Sequence, residues 1–253
     1  MPSVYTHHIV ARETFKRLPT HLQDKIKPHL SLYFFGAHGA DFCFFYKFLQ
    51  PRTQNIGSFL HRKGGYDAFC VLKAFAAHDE RLLAYAFGYI THYAADVAFH
   101  PFVYKASGKS LLTHSRVENA VDSLLYAAYF KNNHEGYERY FRKKLTADEE
   151  NEVFLLYATI AAKAGFPPLL RSPFSRAIRV FNAYLPLSFS FFGKSEPSVL
   201  NAAFGQEPIR RCLTVFAHSV DRAGVLIERF HSALETRKPL SRSLFAKNYL
   251  TGK

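Results

Sequence analysis

The 253-residue sequence has no tryptophan, one methionine and only three cysteines, Cys43, Cys70 and Cys212. The cysteines are odd in number, far apart and set in apolar surroundings, which argues against a framework of disulfide bonds. Buried free thiols are typical of proteins from a reducing compartment. The cysteine content therefore predicts an intracellular protein.

Long hydrophobic runs are also missing. A transmembrane helix requires about 18 or more uninterrupted apolar residues, and residues 30–49, which come closest, are broken by glycine, histidine, aspartate and lysine. The N-terminus lacks the basic segment and apolar core of a signal peptide. The sequence therefore predicts a soluble protein without a transmembrane segment, located in the cytoplasm.

The chain has few acidic residues, 20 against 33 lysines and arginines, so its formal net charge is +13. A basic surface favours anionic partners such as phosphate esters, nucleic acid or anionic lipid headgroups. Because the basic residues are scattered rather than massed, a protein that is merely soluble and basic is the alternative interpretation. The composition, with 48% hydrophobic and 21% charged residues, is that of a globular protein.

Helical spacing of apolar residues dominates the chain, and alternating strand patterns are absent. Thr6 is a candidate N-cap of a first helix, and Asp79 caps a long central helix that ends at about residue 103. No internal repeat or long linker divides the chain. The sequence predicts an all-α fold, a single-domain multi-helix bundle over residues 1–253, with a metal-binding half at about 5–125 and a C-terminal helical half at about 126–253.

Side chains that bind metals recur at four-residue spacing in the central helix and in the next one. His92, Asp96 and His100 come first, and His114 and Glu118 repeat the spacing downstream. This spacing places side chains about 6 Å apart on one face of a helix. Because such groups are costly to bury without a partner, the pattern predicts a metal cluster. The alternative is a buried network of salt bridges and hydrogen bonds.

Imidazole and carboxylate ligands without thiolates suit zinc, and also iron or manganese. Five ligands exceed what one tetrahedral ion takes from a protein, so Asp96 is a candidate bridge between two ions. Paired ions about 3.5–4 Å apart clamp a phosphoryl group and lower the pKa of an attacking water. The sequence has no Gly-rich phosphate loop and no nucleophile elbow. The pattern therefore indicates metal-dependent hydrolysis of a phosphoric ester.

The order of these residues along the chain resembles that of the zinc-dependent phospholipase C family, all-helical enzymes related in fold to the P1 nucleases. The family pattern is a histidine, an aspartate, a histidine, H-x-x-x-D, a histidine and H-x-x-x-E. The matching positions here are His7 (or His8) in YTHHIVA, Asp41 in FGAHGADF, His61 in SFLHR, His92-x-x-x-Asp96, His100, and His114-x-x-x-Glu118.

The resemblance implies a site for two or three Zn²⁺ ions. It assigns one ion to Asp41, His61, His92 and Asp96. It assigns a second to His100, His114 and Glu118, and a third to His7 with Asp96 as the bridge. It also implies that Asp41 is the catalytic base toward the attacking water. His7 and His8 lie about 100° apart on a helix, so only one of them can point into the site, and the family order favours His7.

The sequence departs from the secreted members of the family at the third ion. They use the amino group of an N-terminal tryptophan as a ligand of that ion, whereas this chain contains no tryptophan. His38, one turn before Asp41, is an alternative ligand. The secreted members also carry a C-terminal lipid-binding β-sandwich, for which residues 126–253 show no pattern.

The resemblance implies a phospholipase C-like phosphodiesterase that cuts on the glycerol side of the phosphate. The expected substrate is a phosphate ester, a phospholipid rather than nucleic acid. The segment 184–192, YLPLSFSFF, and the basic run 139–144 are candidates for peripheral membrane contact, with a buried helix broken at Pro186 and a solvated surface as the alternatives. The other functions considered are a nuclease or phosphomonoesterase, and a non-catalytic protein with a structural metal site.

Overall fold

The computed structural model describes residues 4–47, 55–63, 65–108, 110–130, 145–192, 200 and 207–253. Regular secondary structure in these residues is entirely helical, which confirms the all-α fold class. The helices are α1 (Val4–Arg17), α2 (Thr20–Ile26), α3 (Leu30–Gly36), α4 (Ile56–Arg62), α5 (Gly65–Ala76), α6 (Glu80–Ser107), α7 (Leu111–Phe130), α8 (Ala147–Lys163), α9 (Arg171–Phe192), α10 (Pro208–Glu235) and α11 (Arg242–Phe245). Short 3₁₀ helices cover Lys27–His29 and Asp41–Phe45.

Helix α6 is the central element of the fold. The Asp79 side chain caps it by accepting a hydrogen bond from the Arg81 amide, and Gly108, with a φ of +58°, ends it. Apolar residues occur on all of its faces, so most of its 28 residues are buried beneath α1, α3, α5, α7 and α10. A helix surrounded in this way presents side chains on opposite faces to different neighbours. It is therefore suited to carry a site assembled from several helices.

Two glycines allow α3 and α6 to cross in backbone contact. A Cβ atom on Gly88 would lie 1.9 Å from the Tyr33 carbonyl oxygen, and one on Gly36 would lie 2.3 Å from the Tyr85 carbonyl oxygen. Only glycine fits such an approach without moving one of the backbones. The crossing places the turn that follows α3, with Asp41 at its end, directly beside α6.

The C-terminal helices cover the other sides of this core. A capping box of Thr146 and Glu149 starts α8, and α10 packs along α6. On α8, the Tyr157 hydroxyl donates a hydrogen bond of 2.7 Å to the Gly39 carbonyl oxygen. The C-terminal half therefore supports the turn that carries Asp41.

Two expectations differ from the structure. Thr6 lies inside α1 rather than at its N-cap, because its backbone amide and hydroxyl both donate to the Asp122 carboxylate of α7. Helix α9 continues past Pro186 to Phe192 instead of breaking there. The side chains of residues 185–192 and the whole basic run 139–144 lie outside the described residues. None of the helices in the described part of the chain is long and apolar enough to cross a membrane.

We expect Gly88→Ala to destabilise the protein by about 1–3 kcal/mol, because the added methyl group forces the α3 and α6 backbones apart. Gly224→Ala on α10 is the matched control, since its Cβ meets nothing within 4 Å. The control is expected to gain about 0.5–1 kcal/mol from helix propensity. Urea unfolding followed by circular dichroism measures both variants. A Gly88→Ala protein as stable as the wild type would contradict the close crossing.

Candidate metal centre

Five elements bring the eight side chains of the candidate site together. Helix α6 carries three of them on one face, and α7 carries two on the face turned to α6. The remaining three come from the N-terminal part of the chain. The set is His7 from α1, Asp41 from the 3₁₀ helix after α3, His61 from α4, His92, Asp96 and His100 from α6, and His114 and Glu118 from α7.

The Asp96 carboxylate lies at the centre of the set. One oxygen, Oδ1, is 3.3 Å from Nε2 of His7 and 3.5 Å from Nδ1 of His100. The other, Oδ2, is 3.2 Å from Nε2 of His61 and 3.4 Å from Nε2 of His92. Four imidazoles from three helices therefore surround one buried carboxylate, and this carboxylate joins the two ends of the site.

Asp41 adds a second carboxylate at the more deeply buried end. Its Oδ1 is 3.2 Å from Nε2 of His61, and its Oδ2 is 3.8 Å from ring nitrogens of both His7 and His92. The His61 Nδ1 lies 2.7 Å from the Gly57 carbonyl oxygen, which can only accept, so Nδ1 donates. This hydrogen bond turns Nε2 of His61 toward both carboxylates, as is usual for a metal-binding histidine.

The other end of the site is closer to solvent. Nε2 of His114 lies 3.0 Å from Oε1 of Glu118, and Nε2 of His100 lies 3.9 Å from the same oxygen. The side chain of His114 is 13% exposed, whereas those of His61 and His92 are 3% and 0% exposed. A ligand would therefore reach the site from the α6–α7 end.

A cavity opens between the two ends of the site. Its polar lining consists of Thr6, His7, Asp96, His100 and Glu118, and the rest of its wall includes apolar side chains such as Phe99 and Val121. Asp41 is not part of this lining. The cavity therefore reaches the carboxylate of Asp96, whereas Asp41 lies outside the cavity wall.

The donor geometry of the site fits zinc. Ligand atoms bound about 2.0–2.1 Å from one tetrahedral zinc ion are roughly 3.3 Å apart, close to the contacts of Asp96 with its four imidazoles. Neither ring nitrogen of the fully buried His92 has a hydrogen-bond partner among the described residues, and the same holds for Oδ1 of Asp41. Buried polar atoms of this kind are costly unless they bind a cation or a proton.

Three groups of side chains offer ligand atoms that lie within 4.8 Å of one another. They are His7 with Asp41 and His92, His61 with His92 and Asp96, and His100 with His114 and Glu118. Histidine nitrogens and carboxylate oxygens without thiolates are a zinc-type donor set. The same residues that form these groups are the ones that the sequence resemblance implies as ligands.

The electrostatics of the buried end favour a positive charge between its side chains. Burial lowers the pKa of His61, but the carboxylates of Asp41 and Asp96 outweigh it and raise the pKa to about 10. Burial lowers the pKa of His92 well below its usual value, so this imidazole is neutral and able to bind a cation. The nearby imidazoles, by contrast, hold the pKa of Asp96 well below its usual range despite its burial. Asp96 therefore stays ionised.

Position distinguishes His7 from the two alternative histidines, His8 and His38. His7 lies against His92, with ring centroids 4.4 Å apart, whereas the His8 ring stacks on Phe34 at 4.5 Å. His38 contacts Phe181, and burial, followed by the charge on His7, lowers its pKa to about 3. His7 therefore faces the carboxylates, and neither His8 nor His38 belongs to the three groups of ligand atoms.

Asp122 is a supporting residue that the sequence analysis missed. Its carboxylate accepts hydrogen bonds from the Tyr5 amide (3.2 Å), the Thr6 amide (2.8 Å) and the Thr6 hydroxyl (2.7 Å). Burial raises the pKa of Asp122 to about 6, although these three donors oppose the shift. The contacts fix the first turn of α1 on α7 and so position His7. The four-residue step from Glu118 to Asp122 is the signal that would have found it.

We expect the wild-type protein to bind at least two zinc ions per chain. His114→Ala should lose one ion, while Asp96→Ala should lose more than one, because Asp96 contacts imidazoles at both ends of the site. His218→Ala, at an exposed position of α10, is the matched control and should keep the wild-type content. Elemental analysis of purified protein measures each value. Less than one zinc ion in the wild type, or an unchanged content in Asp96→Ala, would contradict the site.

Comparison with known proteins also points to a zinc site. The family model described as zinc dependent phospholipase C matches residues 6–165. The match begins next to His7, includes all eight side chains of the site and extends through α8, which is more than half of the chain. No individual curated protein and no solved structure matches the chain significantly. The chain belongs to the zinc-dependent phospholipase C family.

Proposed function

We propose that the protein is a zinc-dependent phosphoric-ester hydrolase that cleaves phospholipids in the manner of a phospholipase C. The observation that carries this proposal is the Asp96 carboxylate, which lies within 3.5 Å of four imidazoles from three helices. A carboxylate in this position suits a bridge between two ions. The residues proposed as zinc ligands are His7, Asp41, His61, His92, Asp96, His100, His114 and Glu118.

Zinc supplies Lewis acidity toward a phosphoryl oxygen and lowers the pKa of water. The protein supplies the shape of the site. The cavity beside Asp96 is lined both by polar groups and by apolar side chains such as Phe99 and Val121, and the apolar part of the lining limits the access of bulk water to a bound phosphate ester. Asp41 is the proposed base, as the family resemblance implies. Its Oδ1 lies 3.2 Å from Nε2 of His61, and burial raises the pKa of this carboxyl group despite that contact, which suits a group that accepts a proton.

The surface beside the exposed end of the site supports a lipid substrate and a peripheral membrane contact. Tyr104 lies on His114 with ring centroids 4.7 Å apart and is 41% exposed, and Leu112 at the start of α7 is 79% exposed. Lys105 and Arg116 are exposed beside them. Apolar side chains flanked by basic ones suit contact with an anionic lipid surface.

A structural metal site is the second candidate function. The buried end of the site favours it, since side chains that are 0–3% exposed resemble a closed structural zinc site. The opening at His114 favours catalysis, because a catalytic ion needs a position for substrate. A nuclease or phosphomonoesterase is the third candidate, which the net charge of +13 supports.

A hydrolysis panel tests the proposed activity. We expect turnover of choline or ethanolamine phospholipids to diacylglycerol, loss of activity after chelation, and recovery on adding zinc. His61→Ala and Asp41→Asn should reduce kcat by a factor of at least about 100, because each alters a group at the buried end of the site. Faster turnover of single-stranded nucleic acid or of simple phosphomonoesters would favour the third candidate. No turnover of any substrate by zinc-loaded protein would favour the structural site.

Vesicle experiments test the membrane contact. Leu112→Ser should weaken binding to vesicles with anionic lipid and slow hydrolysis of vesicle lipid, while hydrolysis of a soluble short-chain phospholipid stays unchanged. Val225→Ser on α10, which is 54% exposed, is the matched control and should bind vesicles as the wild type does. Equal vesicle binding by Leu112→Ser and wild type would rule out this surface.

The cytoplasmic location stays a prediction. Cys43 and Cys212 are buried free thiols, and Cys70 is a half-buried free thiol. Free cysteines suit a reducing compartment, which supports the proposed location.

A further inference from the structure

The C-terminal segment, residues 239–253, lies beyond the part of the chain that matches the family, and it folds back over the metal centre. It follows α10 and contains α11. The Tyr93 hydroxyl of α6 holds it at two points, since this hydroxyl donates to the Leu244 carbonyl oxygen and accepts from the Lys247 amide, both at 3.0 Å. Tyr93 directly follows His92 in the sequence. The segment is therefore tied to the turn of α6 that carries part of the candidate centre.

Tyr249 is the residue of this segment that reaches the centre. Its side chain is fully buried, and its ring lies edge-on to His61 and His92, with centroids 5.3 Å and 6.1 Å away. Its backbone amide donates to the His61 carbonyl oxygen (3.3 Å), and its hydroxyl donates to the Tyr89 hydroxyl (3.3 Å). Tyr249 thus contacts two of the proposed ligands through its ring, and one of them also through its backbone.

The need for such a contact is clearest at His92. A metal-binding histidine usually has its orientation set by a hydrogen bond from its other ring nitrogen. Neither nitrogen of His92 has a hydrogen-bond partner among the described residues, and its contacts with Asp96 and Asp41 are 3.4 Å and 3.8 Å long, so packing against neighbouring groups helps to set the angle of this ring. Gly39 lies against one part of the ring, where a Cβ atom would be only 2.1 Å from Cδ2 of His92. Tyr249 contacts the ring from another side.

We propose that Tyr249 is a positioning residue of the metal centre and that the C-terminal segment forms its outer wall. The aromatic ring of Tyr249 holds the imidazoles of His61 and His92 at the angles at which both face Asp96. Within the part of the chain that the structure describes, the hydroxyl bonds to Tyr89 and to no proposed ligand, so the ring is the part of Tyr249 that positions the imidazoles. The inference rests on the zinc site proposed above, and it extends that site to a segment outside the residues that match the family.

The test measures zinc affinity by competition with a chromogenic chelator, on full-length protein whose folding is checked by circular dichroism. Tyr249→Ala is expected to weaken zinc binding by about 10–100-fold, as the loss of a supporting contact around a metal ligand does. Tyr249→Phe keeps the ring and should bind zinc as the wild type does. The weakened ions should be those of the buried end, which His61 and His92 face, whereas the ion lost in His114→Ala should keep its affinity.

Two further variants separate positioning from general stability. Phe216→Ala removes an equally buried ring from α10 that packs on Tyr129, and it should leave zinc affinity unchanged. Gly65→Ala leaves Tyr249 in place but puts a methyl group 2.9 Å from its ring. It should weaken zinc binding by a smaller factor than Tyr249→Ala does. This variant replaces Tyr249→Ala as the test if Tyr249→Ala does not fold.

The outcomes distinguish the inference from the function on which it rests. Zinc affinity of Tyr249→Ala within threefold of wild type would overturn the inference and leave the proposed site intact. A Tyr249→Phe protein that binds zinc as weakly as Tyr249→Ala would also overturn the inference. A wild-type protein that binds no zinc would overturn the proposed function, and the inference with it.

Discussion

A buried carboxylate among imidazoles is the interaction on which the rest of this structure depends. Asp96 is 3% exposed and lies on the central helix α6. An ionised group at this depth is strongly unfavourable unless opposite charge surrounds it. Four imidazoles, from α1, α4 and α6, turn their nitrogens toward it. Helices α1 and α4 must therefore be held at a fixed position and angle relative to α6.

Different contacts fix the positions of the neighbouring elements on different sides of α6. Backbone contact at Gly88 and Gly36 brings the end of α3, and with it Asp41, close to α6. The carboxylate of Asp122 on α7 holds the first turn of α1 and thereby His7. The C-terminal segment closes the side of His61 and His92 through Tyr249. Elements from nearly the whole chain thus contribute to one small volume, although the ligand-type residues all come from its first half.

The site also joins two environments. One end is fully buried, with its histidines and both aspartates packed among aromatic rings, and the other reaches solvent at His114 beside Tyr104 and Leu112. Burial strengthens the attraction between ligands and a cation because the local dielectric constant is low. The open end provides the access that a substrate needs. A hydrolase and a structural zinc site differ in whether that opening is used, which is why the substrate panel decides between them.

Residues spaced along a single helix were predictable from the sequence, because the helical period alone places His92, Asp96 and His100, or His114 and Glu118, on one face. The all-α fold and the cap at Asp79 followed from equally local patterns. Contacts between distant parts of the chain were not predictable in this way. Thr6 is expected at an N-cap, but it lies inside α1 because Asp122 of α7 accepts hydrogen bonds from its hydroxyl and its amide, and the sequence around Thr6 does not encode this distant partner. The same holds for the choice of His7 over His8, and for Tyr249, 157 residues after His92. The sequence by itself determined which residues share a helical face, since that depends on the fixed geometry of the α-helix. Only the tertiary structure decided which faces meet, since that depends on how apolar surfaces and glycine contacts pack over the whole chain.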